Sequence, residues 1–469
     1  MRFRSCKLVA ATLSTAMLLT GRTYAANIET FAGNGSAGPP LENVHSTDTP
    51  MYWPTDVTVG PDGRQYIVDF NNHKIRVVDN GVISTLIGDG FGDPQPGFAD
   101  QVNLNLPMDV AFDPTGHLYV AAWHNSKVLR MNMATQWVDI IAGSGVRGFA
   151  GDGGPAASAV LNYPSSVAVD SQGQVYIADQ VNFRIRRIAL NGTINTVVGS
   201  GVNGYCGDFG PAISACLSNP SGVNPNFGGK IAFDSVGNLY IADTKNNCIR
   251  RVDTNGIIST IAGTTVAGYS GDGGPAVLAS LNEPVDVAVG PDDNLYIADS
   301  NNHCVRMVDG AGVIFTVAGT GGVPGYSGDG ANATLAQLNM PTGIGLDALG
   351  NVFIADTFNH RIRVVVNQPT PVGATPTGGV SLYANHPNPF SPSTTIEYSA
   401  EKATPVSLRV YNVEGKLVRT LVDGERRAGT RAVSWDGRDD SGRAVSSGVY
   451  FYRIDSGRVS QTRRMVLLK

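Results

Sequence analysis

Six times between residues 54 and 366 the chain writes one phrase, roughly P-x-x-V-A-V-D-x-x-G-N-L-Y-I-A-D-x-x-N-x-x-I-R-x-V and then G-x-I-x-T-I-A-G. The opening prolines are Pro54, Pro107, Pro164, Pro220, Pro284 and Pro341. The longest interval carries an insertion at "NPNFGGK" (224–230). Apolar residues alternate between Gly and Asp turns, which predicts four short strands per unit. A unit this small cannot bury both its faces alone, so tandem copies must stack around an axis as a β-propeller. The sixth copy stops at "HRIRVVV" (360–366) without its fourth strand, and the missing phrase stands ahead of the first copy as "NIETFAG" (27–33). Pairing those two ends closes the circle and leaves no open edge. The expected fold is all-β: a six-bladed β-propeller over 26–366, closed by its N-terminal strand.

Ahead of the repeats, Arg2, Arg4 and Lys7 precede an apolar run, Leu8 to Thr20, and a small-residue exit at Thr23-Tyr24-Ala25. That pattern reads as a signal peptide over 1–25, cleaved near Ala25, and its apolar run is too short for a transmembrane helix. The protein is expected to be secreted or attached at the outer-membrane surface, as a monomer with no transmembrane segment. Residues 26–380 carry 16 basic against 30 acidic side chains, whereas 381–469 carry 14 against 9. A body this acidic excludes nucleic acid as a partner, since that needs a basic footprint.

Columns of equivalent residues supply the candidate sites. The inter-blade phrases "GFAGDGGPA", "GYCGDFGPA", "GYSGDGGPA" and "GYSGDGANA" place Asp152, Asp208, Asp272 and Asp329 in loops where Asp caps backbone amides and Gly takes positive φ. This reads first as a brace, with a calcium or glycan contact as the alternative. Each phrase leads into a helical turn planting a Leu, giving Leu104, Leu161, Leu217, Leu281 and Leu338, with Met51 in the first unit. A structural turn column follows the second strand: Asp69, Asp179, Asp243, Asp299 and Asp356. Three residues on stand Asn72, Asn125, Asn182, Asn246, Asn302 and Asn359. The second unit has Ala122 for the Asp and Leu129 for the Arg found at 76, 186, 250, 306 and 363, so Asp and Arg read as a coupled pair. His73, His303 and His360 share a column but stand a blade apart, too far for one ion.

Two residues after the prolines come Asp56, Asp109, Ser166, Gly222, Asp286 and Gly343. Asp56, Asp109 and Asp286 form a channel-mouth set that either binds a hard cation such as Ca2+ through oxygen or caps neighbouring backbone. No catalytic residues and no required cofactor are read from the sequence. Cys206 and Cys216, ten residues apart in one loop, are expected to form a disulfide in an oxidising compartment, with Cys248 and Cys304 reduced.

The phrases "LYIADTKNNCIRRV" (239–252) and "VFIADTFNHRIRVV" (352–365), with the "SGDGGPA" loops, resemble NHL repeats of the kind found in secreted bacterial proteins and teneurins. The resemblance spans about 27–366. It implies a six-bladed propeller used mostly as a binding platform, with protein or glycan ligands on the loop face. A minority of such propellers are enzymes: peptide-amidating lyases with zinc on channel-mouth histidines, and gluconolactonase types with carboxylate-bound metal. Here Thr55, Met108, Ser165, Ser221, Val285 and Thr342 follow the prolines, so the lyase ligands are absent. An adhesive or spacer role is the third possibility.

After a linker at 367–380, "SLRVYNVEGKLVRTLV" and "GVYFYRID" are strands of a small Ig-like β-sandwich over 381–469, with Trp435 and Tyr450 in its core. The stretches "YANHPNPFSPSTTIEYS" (383–399), "VYNVEGKLVRTL" (410–421), "WDGRDDSGRAVSSGVYFYRI" (435–454) and "RRMVLLK" (463–469) resemble the type A C-terminal sorting domain of the type IX secretion system. That domain is itself similar to the Ig-like domain of the flagellar hook-capping protein. The resemblance implies export through the type IX machinery.

Overall fold

The computed structural model describes residues 26–221, 227–366, 380–386, 390–400, 403–412, 416–427, 429–456 and 459–467. The proposed signal peptide, most of the linker and Gly222 lie outside them. Two compact units divide at residue 368/369.

In the first unit, every repeat folds into an antiparallel sheet whose strands lie side by side in chain order. The first is Pro54–Val59, Gln65–Asp69, Lys74–Asp79 and Val82–Ile87, and five more follow through Pro341–Leu346, Val352–Asp356 and Arg361–Val366. Apolar clusters fill the space between each sheet and the next. One of them joins the last sheet to the first: Phe353, Ala355 and Ile362 pack with Met51, Val57 and Ile67. The ring is therefore closed by packing.

It is also closed by hydrogen bonding. Asn27–Ala32 lies antiparallel to Arg361–Val366, paired from Asn27↔Val366 to Ala32↔Ile362 with a register shift between Thr30 and Ala32, and supplies the outer strand of the last sheet. Ile28 and Ala32 are wholly buried there. The loop from the fifth sheet grips this strand from its other edge, with Gly330 N–H donating to the Ile28 carbonyl and Ala333 N–H to the Ala26 carbonyl.

That grip repeats around the ring. Each "GDGG" loop runs along the outer edge of the following sheet, as where Ile194 N–H donates to the Gly154 carbonyl and Ala156 N–H to the Gly192 carbonyl. A single 3-10 turn follows, such as Ala156–Ser158 or Ala276–Leu278. The Leu comes just after it in extended backbone rather than on it. Leu104, Leu161, Leu217, Leu281, Leu338 and Met51 are all wholly buried.

The second unit is a sandwich. One sheet holds Val380–His386, Thr394–Ala400 and Gly429–Trp435, and the other holds Thr404–Asn412, Leu417–Arg426, Gly448–Ser456 and Val459–Leu467. Trp435 and Tyr450 sit in its core with Ile396, Leu408, Val410, Tyr452 and Met465. No helix among the described residues is long and apolar enough to cross a membrane.

Candidate functional site

The loop aspartates are braces. Asp152, Asp208, Asp272 and Asp329 each bind the column arginine of the sheet they grip: Arg186 at 2.6 Å, Arg250 at 2.7 Å, Arg306 at 2.6 Å and Arg363 at 2.6 Å. The same guanidinium reaches the turn aspartate at 3.1–3.4 Å in these four sheets, so one arginine links two carboxylates. An aromatic ring covers it: Tyr205, Tyr269 and Tyr326 stand over Arg250, Arg306 and Arg363, and Phe149 over Arg186. These arginines have no solvent exposure. In the first sheet Glu42 takes the loop position beside Arg76, at 3.5 Å, with Asp69 at 3.6 Å.

The second sheet, lacking both partners, pairs Lys127 with Asp93 at 2.8 Å. Its Asn125 side chain accepts the Asn105 backbone N–H that a turn aspartate accepts elsewhere. Those equivalents are Tyr52, Asn162, Ser218, Asn282 and Asn339, bound by Asp69, Asp179, Asp243, Asp299 and Asp356. Burial pushes each of the five carboxyls up to about 6, against the hydrogen bonds that favour their ionised form.

Asn72, Asn182, Asn246, Asn302 and Asn359 donate to their turn aspartate and to a carbonyl of the neighbouring loop, for example Asn182 to Gly148 at 2.7 Å. Loops and turns therefore share one face. The histidine column is structural too. Nδ1 of His73, His303 and His360 accepts the backbone N–H of Leu106, Met340 and Trp53 on the following sheet. Burial lowers the pKa of all three, keeping that nitrogen an acceptor.

Asp208 and Asp329 have shifts of the opposite sign. Burial works against their ionisation. Hydrogen bonds from Thr260 and Tyr205 at Asp208, and from Tyr326 and Thr30 at Asp329, together with their arginines, outweigh it and hold both carboxyls below the ordinary value. A carboxyl depressed in the folded state contributes stability that is full above the unfolded pKa and lost as pH falls through the folded one. Asp208→Asn is expected to lower stability by about 2 kcal/mol at neutral pH, the scale of a hydrogen bond to a charged group. Urea titrations of the two proteins should converge as pH drops below about 4.

At the axis the channel carboxylates meet. Asp56, Asp109 and Asp286 each reach the next sheet's inner strand, accepting N–H from Val110 at 3.4 Å, Val167 at 2.9 Å and Ile344 at 2.8 Å. Ser166 continues the ring by accepting Ile231 N–H at 3.2 Å. Gly343 completes it by having no side chain, since a Cβ there would lie 2.6 Å from both Asp56 Cα and the Thr55 carbonyl.

The fourth member of this column is not Gly222. The inner strand of the fourth sheet starts only at Ile231, so the residue in the column is Lys230. Its ammonium lies 2.5 Å from Asp56, 3.3 Å from Asp109 and 3.7 Å from Asp286, and donates to the Thr55 carbonyl at 3.1 Å. The positive charge that a bound cation would bring is already supplied by the chain. Among the described residues, no group of three or more His, Cys, Asp or Glu side chains is placed to hold a metal ion.

Lys230, Asp56, Asp109 and Asp286 are all at least 94% buried. Burial raises the Asp56 pKa to about 8, despite the attraction of Lys230, and raises that of Asp286 as well. Burial also opposes the Lys230 charge, but the three carboxylates outweigh it and its pKa stands above the ordinary value. Three acids facing one base retain a proton near neutrality.

An apolar plug of Phe70, Met108, Trp123, Tyr163, Phe227 and Val285 fills the middle of the ring near this cluster. Trp123 Nε1 donates to Gln180 at 2.9 Å. A cavity of about 380 Å³ runs from the carboxylates along the inner strands to Val59, Phe112, Val169, Phe233 and Val289. Cys206 and Cys216 form a disulfide in the loop gripping the fourth sheet, and Cys248 and Cys304 are free and buried.

A ring of repeated sheets, tied by polar columns and sealed by its own first strand, defines a repeat β-propeller. Its repeats are of the NHL kind. Residues 113–205 match the teneurin NHL domain, 281–306 and 338–365 match the NHL repeat, and 391–458 match the FlgD Ig-like domain. These matches support an NHL propeller followed by an Ig-like domain. Over 373 residues it is 26% identical to mouse teneurin-4, a match covering 72% of this chain and 13% of that protein.

Two solved structures share the fold. A protein of unknown function from Bacteroides thetaiotaomicron gives a TM-score of 0.54 at 19% identity, covering 72% of this chain and 75% of that one. An auxiliary nutrient binding protein from Bacteroides ovatus gives 0.52 at 19%, covering 73% and 76%.

Proposed function

We propose that this chain is a secreted or surface-displayed binding protein that holds a protein or glycan ligand on its loop face, and that residues 381–469 direct its export through the type IX machinery. One observation supports the binding role above the rest. Val146, Val202, Val266 and Val323 recur in four successive inter-blade loops and are 50–66% exposed, and Phe91 and Phe209 are exposed further still. Each valine stands two residues before the glycine carbonyl that a turn asparagine holds, so the four share the loop face. The column leucines of the same loops, Leu161, Leu217, Leu281 and Leu338, are wholly buried, whereas Leu278 and Leu335 add to the exposed apolar surface at 69% and 71%. Apolar side chains repeated in water beside a sealed core fit a partner's surface. The Bacteroides ovatus auxiliary nutrient binding protein shares this fold.

Capture of cell-surface proteins and a glycan array, both with the full chain, test the proposal. The triple variant Val202→Ser, Val266→Ser, Val323→Ser should weaken binding by about tenfold at unchanged thermal stability, since it removes apolar area that a partner would bury, at about 25 cal/mol per Å². Equal binding by that variant would move the site elsewhere. For export, a chain ending at residue 380 is expected to remain inside the outer membrane.

A further inference from the structure

We propose that Lys230 and Asp56 condense into an intramolecular isopeptide bond, stapling the fourth sheet of the ring to the first across its axis. Several features meet here that amide formation needs together. The Lys230 nitrogen is in contact with the Asp56 carboxyl, at 2.5 Å from Oδ1, and is held there by a hydrogen bond to the Thr55 carbonyl. Fixing nucleophile and acyl carbon in contact replaces a bimolecular encounter with a local one. A second carboxylate, Asp109, touches the same nitrogen at 3.3 Å. Both reacting side chains are only 3% exposed, and the six residues of the apolar plug fill the ring nearby. Burial penalises the Asp56 charge and favours its acid form, whereas the facing carboxylates hold Lys230 as an ammonium, which must give up a proton before it can attack. Asp56 in its acid form has a carbonyl open to attack.

The chemistry balances within the cluster. The ammonium gives a proton to Asp109, which relays it to the Asp56 carboxylate. The freed Nζ lone pair then adds to Asp56 Cγ and the new C–N bond forms. Asp109 takes a second proton from that nitrogen and delivers it to the Asp56 hydroxyl, whose C–O bond breaks. An ammonium and a carboxylate become one amide and one water, with no oxidant or activating group. The water has an exit, since Asp56 and Asp109 line the axial cavity. Asp109 thereby acts as the catalytic acid–base, touching the reacting nitrogen. Asp286, at 3.7 Å and tied to Ile344 N–H, keeps the cluster's field in place.

Peptide mapping by mass spectrometry on the folded full chain tests this. The expected product is a branched peptide joining the segments that contain Asp56 and Lys230, lighter than their sum by one water. Asp109→Asn should leave both residues free in a chain that still folds by circular dichroism, and Lys230→Met should abolish the branch. Unmodified linear peptides carrying Asp56 and Lys230 from the folded wild-type protein would overturn the proposal. A branch at Asp109 or Asp286 would overturn the assignment to Asp56.

Discussion

A chain that begins at Gly33 will lose the closed ring. The strand it lacks is held on both edges: by the ladder to Arg361–Val366, and by the loop bonds of Gly330 and Ala333 to the carbonyls of Ile28 and Ala26. Without it, the outer edge of Arg361–Val366 faces water as an unpaired strand, which is a template for association. Ile28 also fills the cluster between the fifth and sixth sheets, together with Ala333, Leu338 and Ile354. Truncating that one side chain, Ile28→Ala, is expected to cost about 2–5 kcal/mol as a cavity in a packed core. Deleting the whole strand adds the unmet backbone groups and should give an aggregating protein by size-exclusion chromatography. In a graded test, Ile28→Ala stays monomeric with a lower urea midpoint, whereas Thr30→Ala, which loses only the exposed bonds to Tyr326 and Asp329, shifts it far less. Equal behaviour of the truncated and full chains would mean that packing between sheets alone closes the ring.

The repeat made most of this legible, because a column read along the sequence is a physical layer around the axis. The missing fourth strand and its copy at 27–33 told where the ends meet, and the paired loss at Ala122 and Leu129 told that Asp and Arg act together. The loop aspartates as the arginines' nearer partners were harder to see. They lie 34 to 42 residues away in sequence, and only the loop's path along the next sheet brings them there.

Lys230 is hidden in the sequence for a definite reason. Aligning the fourth repeat on Pro220 places Gly222 in the channel column and counts "NPNFGGK" as surplus. Aligning backwards from "DSVGNLYIAD" puts Lys230 beside the aspartates. Even then, the contact between side chains of the first, second, fourth and fifth sheets follows from the narrow axis and not from any local pattern. Phe227, which stacks edge-on to Phe70 at 5.7 Å in the plug, belongs to the same insertion. One interruption of the repeat thus supplies both one of the plug's four aromatic side chains and the buried ammonium.

The buried arginines make the second large prediction, and the second sheet supplies its control. Arg250→Leu should destabilise the protein by about 3–5 kcal/mol, because it leaves Asp243 buried with a charge and no counterion. Asp208, partly exposed, can turn to water and adds less. Changing Asp243 to Ala alone should also be costly, since Asp208 becomes the arginine's one carboxylate partner beside the Cys206 and Cys216 carbonyls, and the Ser218 N–H loses its acceptor. The pair Asp243→Ala with Arg250→Leu rebuilds what the second sheet already has in Ala122 and Leu129. There Asn125 turned to accept the orphaned N–H, and Asn246 occupies the same position in the fourth sheet. The double variant is therefore expected to be more stable than Arg250→Leu, with a coupling of about 1–3 kcal/mol between the two sites. Urea denaturation of wild type, both single variants and the double closes the cycle. Additive losses would show that the two residues act separately, leaving the joint absence of Asp and Arg in the second sheet without an energetic cause.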